Sequence, residues 1–371
     1  MTLSFEVTAT EGAARTGVVR TSRGAVMTPC FMPVGTRGAV RHLSSADLED
    51  LGAQIVLSNT YHLMLKPGAE LIAEQGGLHA FQDWSGHVLT DSGGYQIFSL
   101  DPGGNVRVDD DGVTFRSTYD GGTHRLTPES AVAIQTALGS DIQMVLDVCA
   151  PLPSSAAVLR QAVDRTAEWA GRARGAFVEL GRPELNQFGI VQGGTDTSLR
   201  IESAERTRAV GFDGYAVGGL SVGESRDEML ATLAAVLPSL PEDQPRYLMG
   251  LGDPIGIVEA VALGIDLFDC VLPTRFARHG TILSAAGRYN LKRAENATAA
   301  TPLDETCGCP VCARWSRAYL RHLLVVDEPT APRLLTLHNV WWTLRLVEEV
   351  RTAIAVGALD GVRSRIAAAY G

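Results

Sequence analysis

The feature that most constrains this chain is a rhythm. Eight short apolar runs recur at residues 26–33, 54–58, 87–90, 142–146, 188–191, 215–217, 247–249 and 265–268, most of them three to five residues long. Runs this short and this apolar suit strands buried on both faces. Between most of them lie stretches such as SAAVLRQAVDRTAEWAGRARGAF and SRDEMLATLAAVL, whose apolar residues fall at helical spacing. Eight such units fit a (β/α)8 TIM barrel, a fold that takes roughly 250 residues. A doubly wound open sheet uses the same units, and counting strands does not separate the two.

The strand ends say more. Just past most of the runs come Asn59, Asp91 in DSGGYQ, Asp147 in LDVC, Gln192 in QGG, Gly218-Gly219, Gly250 and Asp269 in FDC. A glycine after a strand is ordinarily a turn. Three aspartates and a glutamine in that same place on different strands read as a site, because a barrel gathers its active-site loops at the C-terminal ends of its strands. Two segments break the rhythm. After Leu100, DPGGNVRVDDDGVTFRSTYDGG predicts a hairpin, with VRV and VTFRSTY around an Asp-Gly turn. Thr127 then reads as an N-cap, with Pro128 first in the helix and Glu129 in its first turn. The second interruption follows Asp269 and holds a cysteine cluster. A hairpin-like start, FEVTATEG to TGVVR, is expected to cap the barrel floor. The chain is thus read as one catalytic unit over 1–371, with a metal-binding subdomain over 272–345.

Composition narrows the class. With 45% hydrophobic residues in 371, a full core is available. The first residues lack the basic start and apolar run of a signal peptide, and no apolar stretch approaches the roughly 18 residues of a membrane span, so a cytoplasmic protein is expected. The net charge of −10 excludes an enzyme wrapped in a general positive field. Residues 271–325 nevertheless carry eight Lys/Arg against three acids, a local +5 in a chain whose remainder carries −15.

Cys307, Cys309 and Cys312 in CGCPVC supply three thiolates within six residues. A tetrahedral zinc needs a fourth ligand; His338 in LLTLHNV is favoured and His322 competes. Four filled positions make a closed, structural zinc site, one per subunit, with no place for reacting water. Its expected work is to hold the insertion bearing Arg314, Arg317 and Arg321 in shape.

LTDSGGYQ, SDIQMVLDVC, GIVQGG, GFDGYAVGGLSVGE, YLMGLG, GIDLFDCVLPTR and CGCPVC…H occur in one order along nearly the whole chain. Together they closely resemble the bacterial tRNA-guanine transglycosylases of the queuine tRNA-ribosyltransferase family. The resemblance implies a (β/α)8 barrel with a zinc subdomain and no redox or nucleotide cofactor. It implies removal of guanine from the first anticodon position of G-U-N tRNAs (Asp, Asn, His, Tyr type) and attachment of a 7-deazaguanine base to the same ribose carbon, within queuosine synthesis. Carried over motif by motif, Asp269 would be the nucleophile and Asp91 the general acid/base. Asp91, Ser92, Gly93, Gly94, Tyr95, Asp147, Gln192, Gly219, Leu220 and Glu224 would bind the base, with Tyr95 stacked on it. RNA would be held by Gly250, Leu251, Gly252, Asp253, Pro254, Ile255 and Gly256, and by Thr274, Arg275, Phe276, Ala277 and Arg278. Bacterial relatives pair as homodimers, which is expected here.

The chemistry asks for such a set. Exchanging bases with retention takes two displacements at the anomeric carbon, so one carboxylate attacks while a second works as acid and then base. The residues themselves leave open which of Asp91 and Asp269 attacks; the resemblance assigns it. A guanine edge offers donors at N1 and N2 and an acceptor at O6, matching Asp147 on one side and Gln192 with a glycine N–H on the other. Val222 in LSVGE resembles the bulky bacterial residue, and Cys149 is bacterial in type. With the Leu220 carbonyl and Glu224 these favour 7-aminomethyl-7-deazaguanine as incoming base, while Val148 and His279 in FARHG depart from the bacterial pattern and keep queuine open. Three rivals remain: a non-catalytic tRNA-positioning subunit, which would have lost the acids; a DNA-modifying relative; and an archaeosine-type enzyme, which usually carries further RNA-binding domains.

Overall fold

The computed structural model describes residues 3–100 and 106–371. Three antiparallel strands, β1 (Ser4–Glu11), β2 (Ala14–Thr21) and β3 (Gly24–Thr28), form a small sheet. The barrel opens with β4 (Cys30–Gly35), β5 (Ile55–Ser58) and β6 (His87–Thr90). A three-stranded excursion follows, of β7 (Arg107–Val108), β8 (Val113–Arg116) and β9 (Thr123–Leu126). The barrel resumes with β10 (Ile142–Met144), β11 (Asn186–Val191), β12 (Gly214–Val217), β13 (Arg246–Leu248) and β14 (Leu267–Cys270). Its neighbours pair in parallel all the way round, and β10 closes the ring on β6 with Ile142 opposite Leu89. Closure removes the doubly wound alternative, since an open sheet would leave two edges.

Three expectations shift in detail. The run at 26–33 is not one strand: Pro29, which has no N–H to give a ladder, separates β3 of the small sheet from β4 of the barrel. The run at 265–268 begins its strand only at Leu267 and carries it through Asp269, which therefore stands on β14 rather than beyond it. The hairpin after Leu100 gains a third strand, β9, whose pairing with β8 brings His124 opposite Phe115; residues 101–105 of that segment lie outside the described residues. Its Asp-Gly turn forms as expected, the Asp109 carboxylate accepting from the N–H groups of Asp111 and Gly112.

The small sheet covers the floor. Arg15 makes a buried two-pronged pair with Asp266, just before β14, at 2.9 and 2.6 Å. Thr21 bonds His87 at the foot of β6, and Asn186 at the foot of β11 accepts from Leu3. With the floor sealed, the C-terminal ends of the strands are the open face. Helices pack outside by their apolar stripes: Ala156–Glu179 buries Leu159, Val163, Trp169, Ala173 and Phe177, and starts on Ser155, whose hydroxyl accepts from Val158. Thr127 caps Pro128–Leu138 in the same way, accepting from Ser130.

After β14 come the helix Leu272–His279, a two-stranded ribbon of β15 (Thr281–Ile282) and β16 (Tyr289–Asn290), and the cysteine cluster. This region has its own apolar core, in which Ile282, Leu291, Leu303, Val311 and Leu320 meet. The long helix Thr330–Val356 serves both bodies: Leu334 and Leu335 join the small core, while Val347, Val350 and Ile354 join the barrel's.

Candidate active site

One cavity of about 540 Å³ opens at the C-terminal ends of the strands, lined among others by Asp91, Tyr95, Asp147, Gln192, Gly219, Leu220, Val222, Tyr247, Asp269 and Arg275. The barrel thus gathers side chains from Val34 to Arg275, up to 241 positions apart in sequence. Its size suits a single small-molecule site.

The three aspartates have different surroundings. Asp91, after β6, is held at both oxygens: Oδ1 accepts from the backbone of Thr60 at 2.8 Å and of Gly93 at 3.2 Å, and Oδ2 from the Asn59 amide. Burial nonetheless pushes its pKa up to about 6, with the Asp269 charge adding a smaller push. Asp147, past the end of β10, is 6% exposed; Oδ2 accepts from Gln192 at 2.6 Å, and burial, reinforced by the Asp91 charge, raises its pKa to about 6. Asp269 is held at one oxygen only. Its Oδ1 accepts from the Tyr247 hydroxyl at 2.5 Å and the Gly250 N–H at 2.8 Å, and no hydrogen bond among the described residues reaches Oδ2. Its carboxyl, too, is raised by burial.

Gly219 sits at φ +64, and a methyl placed on it would run into the Gln192 amide at 2.3 Å. Only a residue without a side chain allows this loop to lie over Gln192. Arg200, fully buried on the helix Thr197–Val210, holds the loop from behind. Its guanidinium donates to the carbonyls of Val191, Gly194, Gly218 and Gly219 at 2.7–3.1 Å. Burial lowers its pKa to about 10, so it stays charged at neutral pH.

Other expected residues fall in several places. Tyr95, 53% exposed, stands at the rim, and Cys149 and Val222 line the wall. Ser92 and Gly94 are buried in the turn that follows β6, with Ser92 Oγ accepting from Gly94, and Gly93 starts the helix there. Glu224 lies behind the wall, its carboxylate accepting from the N–H groups of Ser221 and Val222. Val148 is bonded to Thr166 and packs away from the cavity. In the two loop stretches expected to hold RNA, Leu251, Gly252, Pro254, Ile255, Gly256, Thr274 and Ala277 are buried, leaving Gly250, Asp253, Arg275, Phe276 and Arg278 with accessible surface. Asp253 also caps the helix Pro254–Ala262 and pairs with Arg226. Tyr247, Asn59 and Arg200 carry parts that sequence reading did not give them. Tyr247 lay inside an apolar run and read as core, and a charged residue in an amphipathic helix reads as solvent-facing.

Away from the cavity, Cys307, Cys309, Cys312 and His338 bring their ligand atoms within 4.8 Å of one another. The three sulfurs lie 3.7, 3.4 and 3.4 Å from His338 Nδ1. A tetrahedron with ligands at zinc distances has S···N edges of about 3.6 Å, so the donor set fits. His338 Nε2 lies 2.8 Å from the Leu283 carbonyl, to which it donates, leaving Nδ1 as the ligand nitrogen. His322 is not in the cluster.

Fold and site together define a (β/α)8 barrel enzyme with a multi-carboxylate centre at its mouth and, apart from it, a Cys3His cluster that could hold a metal ion. The family model described as queuine tRNA-ribosyltransferase matches residues 10–371, and the chain belongs to that family, whose members are pentosyltransferases. It is 50% identical over 360 residues to the queuine tRNA-ribosyltransferase of Solidesulfovibrio magneticus, covering 97% of this chain and 96% of that one. It is 49% identical to that of Symbiobacterium thermophilum (95% and 87% covered) and 48% to that of Nitratidesulfovibrio vulgaris (99% and 97%). No helix of the described residues is long and apolar enough to cross a membrane.

Proposed function

We propose that this enzyme replaces the wobble guanine of G-U-N tRNAs with 7-aminomethyl-7-deazaguanine by double displacement at the ribose. The observation that carries the proposal is the unequal anchoring of two carboxylates in one cavity. Asp269 has one oxygen held and one that no hydrogen bond among the described residues reaches, which suits attack on the anomeric carbon to form a ribosyl ester. Asp91, held at both oxygens and with a pKa near 6, suits proton transfer: it donates to departing guanine and then accepts the proton of the incoming base. Asp147 accepts from guanine N1–H and N2–H; Gln192 and the Gly219 N–H donate to O6; Tyr95 stacks on the ring. A base lacking these groups leaves buried polar atoms unpaired and is rejected. The wobble nucleotide must leave its stack to enter the cavity, where Arg275 and Arg278 meet the neighbouring RNA. Val222 narrows the wall beside the 7-substituent and favours the aminomethyl precursor over queuine.

The cysteine–histidine cluster holds a structural zinc, with all four positions filled by protein and no part in the chemistry. The enzyme works as a cytoplasmic homodimer. Incubation with radiolabelled guanine and a G-U-N tRNA, competed with 7-aminomethyl-7-deazaguanine or queuine, tests the reading. Label should enter the tRNA, with the aminomethyl base the stronger competitor; no incorporation would refute it.

A further inference from the structure

The helix Leu272–His279 follows β14 directly and has two faces. Arg275 and Arg278 stand on the accessible one, with Arg275 lining the cavity; Pro273, Thr274 and Ala277 are buried on the other. Asp269 itself is held from the barrel, by Tyr247 and Gly250. The helix is held differently. Among the described residues, one side chain from a distant part of the chain hydrogen-bonds its backbone: Asn339, whose amide donates to the Pro273 carbonyl at 3.1 Å. Asn339 is fully buried, and the rest of its amide is used as well. It also donates to the Thr281 carbonyl on β15 at 3.0 Å, and its oxygen accepts from the Leu283 N–H at 3.1 Å. Such an amide has one orientation, since turning it over would set its NH2 against an N–H and its oxygen against two carbonyls.

The residue before it is His338, of the Cys3His cluster. Successive residues of a helix point about 100° apart, so Thr330–Val356 turns His338 towards the sulfurs and Asn339 towards the helix that follows Asp269. The two meet again at Leu283. His338 Nε2 donates to its carbonyl at 2.8 Å, while Asn339 accepts from its N–H. Two adjacent side chains thus hold both backbone groups of Leu283, and one of them reaches on to Thr281 and Pro273. A buried network of this kind keeps one arrangement, because each broken bond leaves a buried polar group unpaired.

Resting on the RNA reaction proposed above, we infer that Asn339 is a positioning residue for it. Asn339 ties the Cys3His cluster to the helix Leu272–His279 and so sets Arg275 and Arg278 relative to Asp269. Asp269 keeps its own anchors on the barrel, so the tie governs how RNA is seated rather than how fast the glycosidic bond breaks.

The test uses the full-length, metal-loaded protein. Deuterium uptake, read by mass spectrometry without RNA, is compared for wild type, Asn339→Asp and Thr343→Val. Aspartate keeps the acceptor for Leu283 but removes both donors. Thr343, 1% exposed and one turn further on, bonds only its own helix, through the Asn339 carbonyl. Residues 272–283 should exchange about tenfold faster in Asn339→Asp, the scale of one lost buried hydrogen bond. Segments around Asp147 and Gln192 should not move, metal content should be equal, and Thr343→Val should match wild type. In kinetics, KM for a G-U-N stem-loop should rise about tenfold, while kcat and KM for guanine stay within about twofold. Where Asn339→Asp does not fold, Asn339→Ala, which admits water to the same groups, is read in its place. Unmoved uptake in residues 272–283, or the same rise in Thr343→Val, overturns the tie. So do faster uptake along the whole chain with a fallen kcat, which reduces Asn339 to a general structural part, and metal loss, which confines it to the cluster. Uptake needs neither RNA nor base: a wild type that incorporates no guanine refutes the proposed reaction, while guanine exchange with unmoved uptake refutes only the tie.

Discussion

Asp147 should cost this protein stability at the pH where it works. The carboxylate is 6% exposed, and its pKa is about 6 in the folded chain against an ordinary 3.8. Between those values the folded state binds a proton that the unfolded chain has lost, so stability falls as pH rises from about 4 to about 6 and stays lowered above. The gap of about two pH units corresponds to about 3 kcal/mol. Asp147→Asn keeps the shape and an acceptor for the Gln192 amide but removes the ionisation. The variant should therefore be more stable than wild type at pH 8, by up to about 3 kcal/mol, and equal to it near pH 4. Its guanine exchange should fall severely, because the oxygen that stays against Gln192 leaves an NH2 donor facing the guanine N1–H and N2–H donors. Thermal or urea unfolding at the two pH values measures the difference. Equal midpoints at pH 8, or the same gain at both pH values, would refute the assignment of burial as the cause.

Three further outcomes follow from the same contacts. Tyr247→Phe removes the hydroxyl that stabilises ionised Asp269; a hydrogen bond to a charge is worth about 1.5–3 kcal/mol, so the acid limb of kcat/KM should move up by roughly one to two pH units, and an unmoved limb would contradict it. Arg200→Met leaves four carbonyls without their donor and should raise KM for the free base at least tenfold while KM for tRNA holds, with Arg200→Lys in between; equal rises in both would reduce Arg200 to a general structural part. Cys309→Ser should lower bound metal, read by elemental analysis, and lower the thermal midpoint; full metal content would remove it from the ligand set.

The strand ends were legible because a barrel spends its interior on apolar residues and places polar ones just beyond, so Asp91, Asp147 and Gln192 stood out against their runs. The candidate metal-holding cluster was legible because three cysteines in six residues have few other uses, and the fold favours His338 over His322 by bringing its Nδ1 against the sulfurs. What was hidden depends on pairing in space. Tyr247 looks like a core residue until the barrel sets it against Asp269. Arg200 looks like a surface charge until its helix turns it towards four carbonyls. Pro29 ended one strand and released another inside what reads as a single run.

The central claim is that Asp269 attacks while Asp91 moves the proton. Wild-type enzyme and the Asp269→Asn and Asp91→Asn variants, each incubated with a G-U-N tRNA and run under denaturing conditions, test it most directly. The account predicts a covalent RNA–protein species in the wild type that maps to Asp269 by mass spectrometry and is absent from Asp269→Asn. A species that persists in Asp269→Asn, or that maps to Asp91, would contradict it.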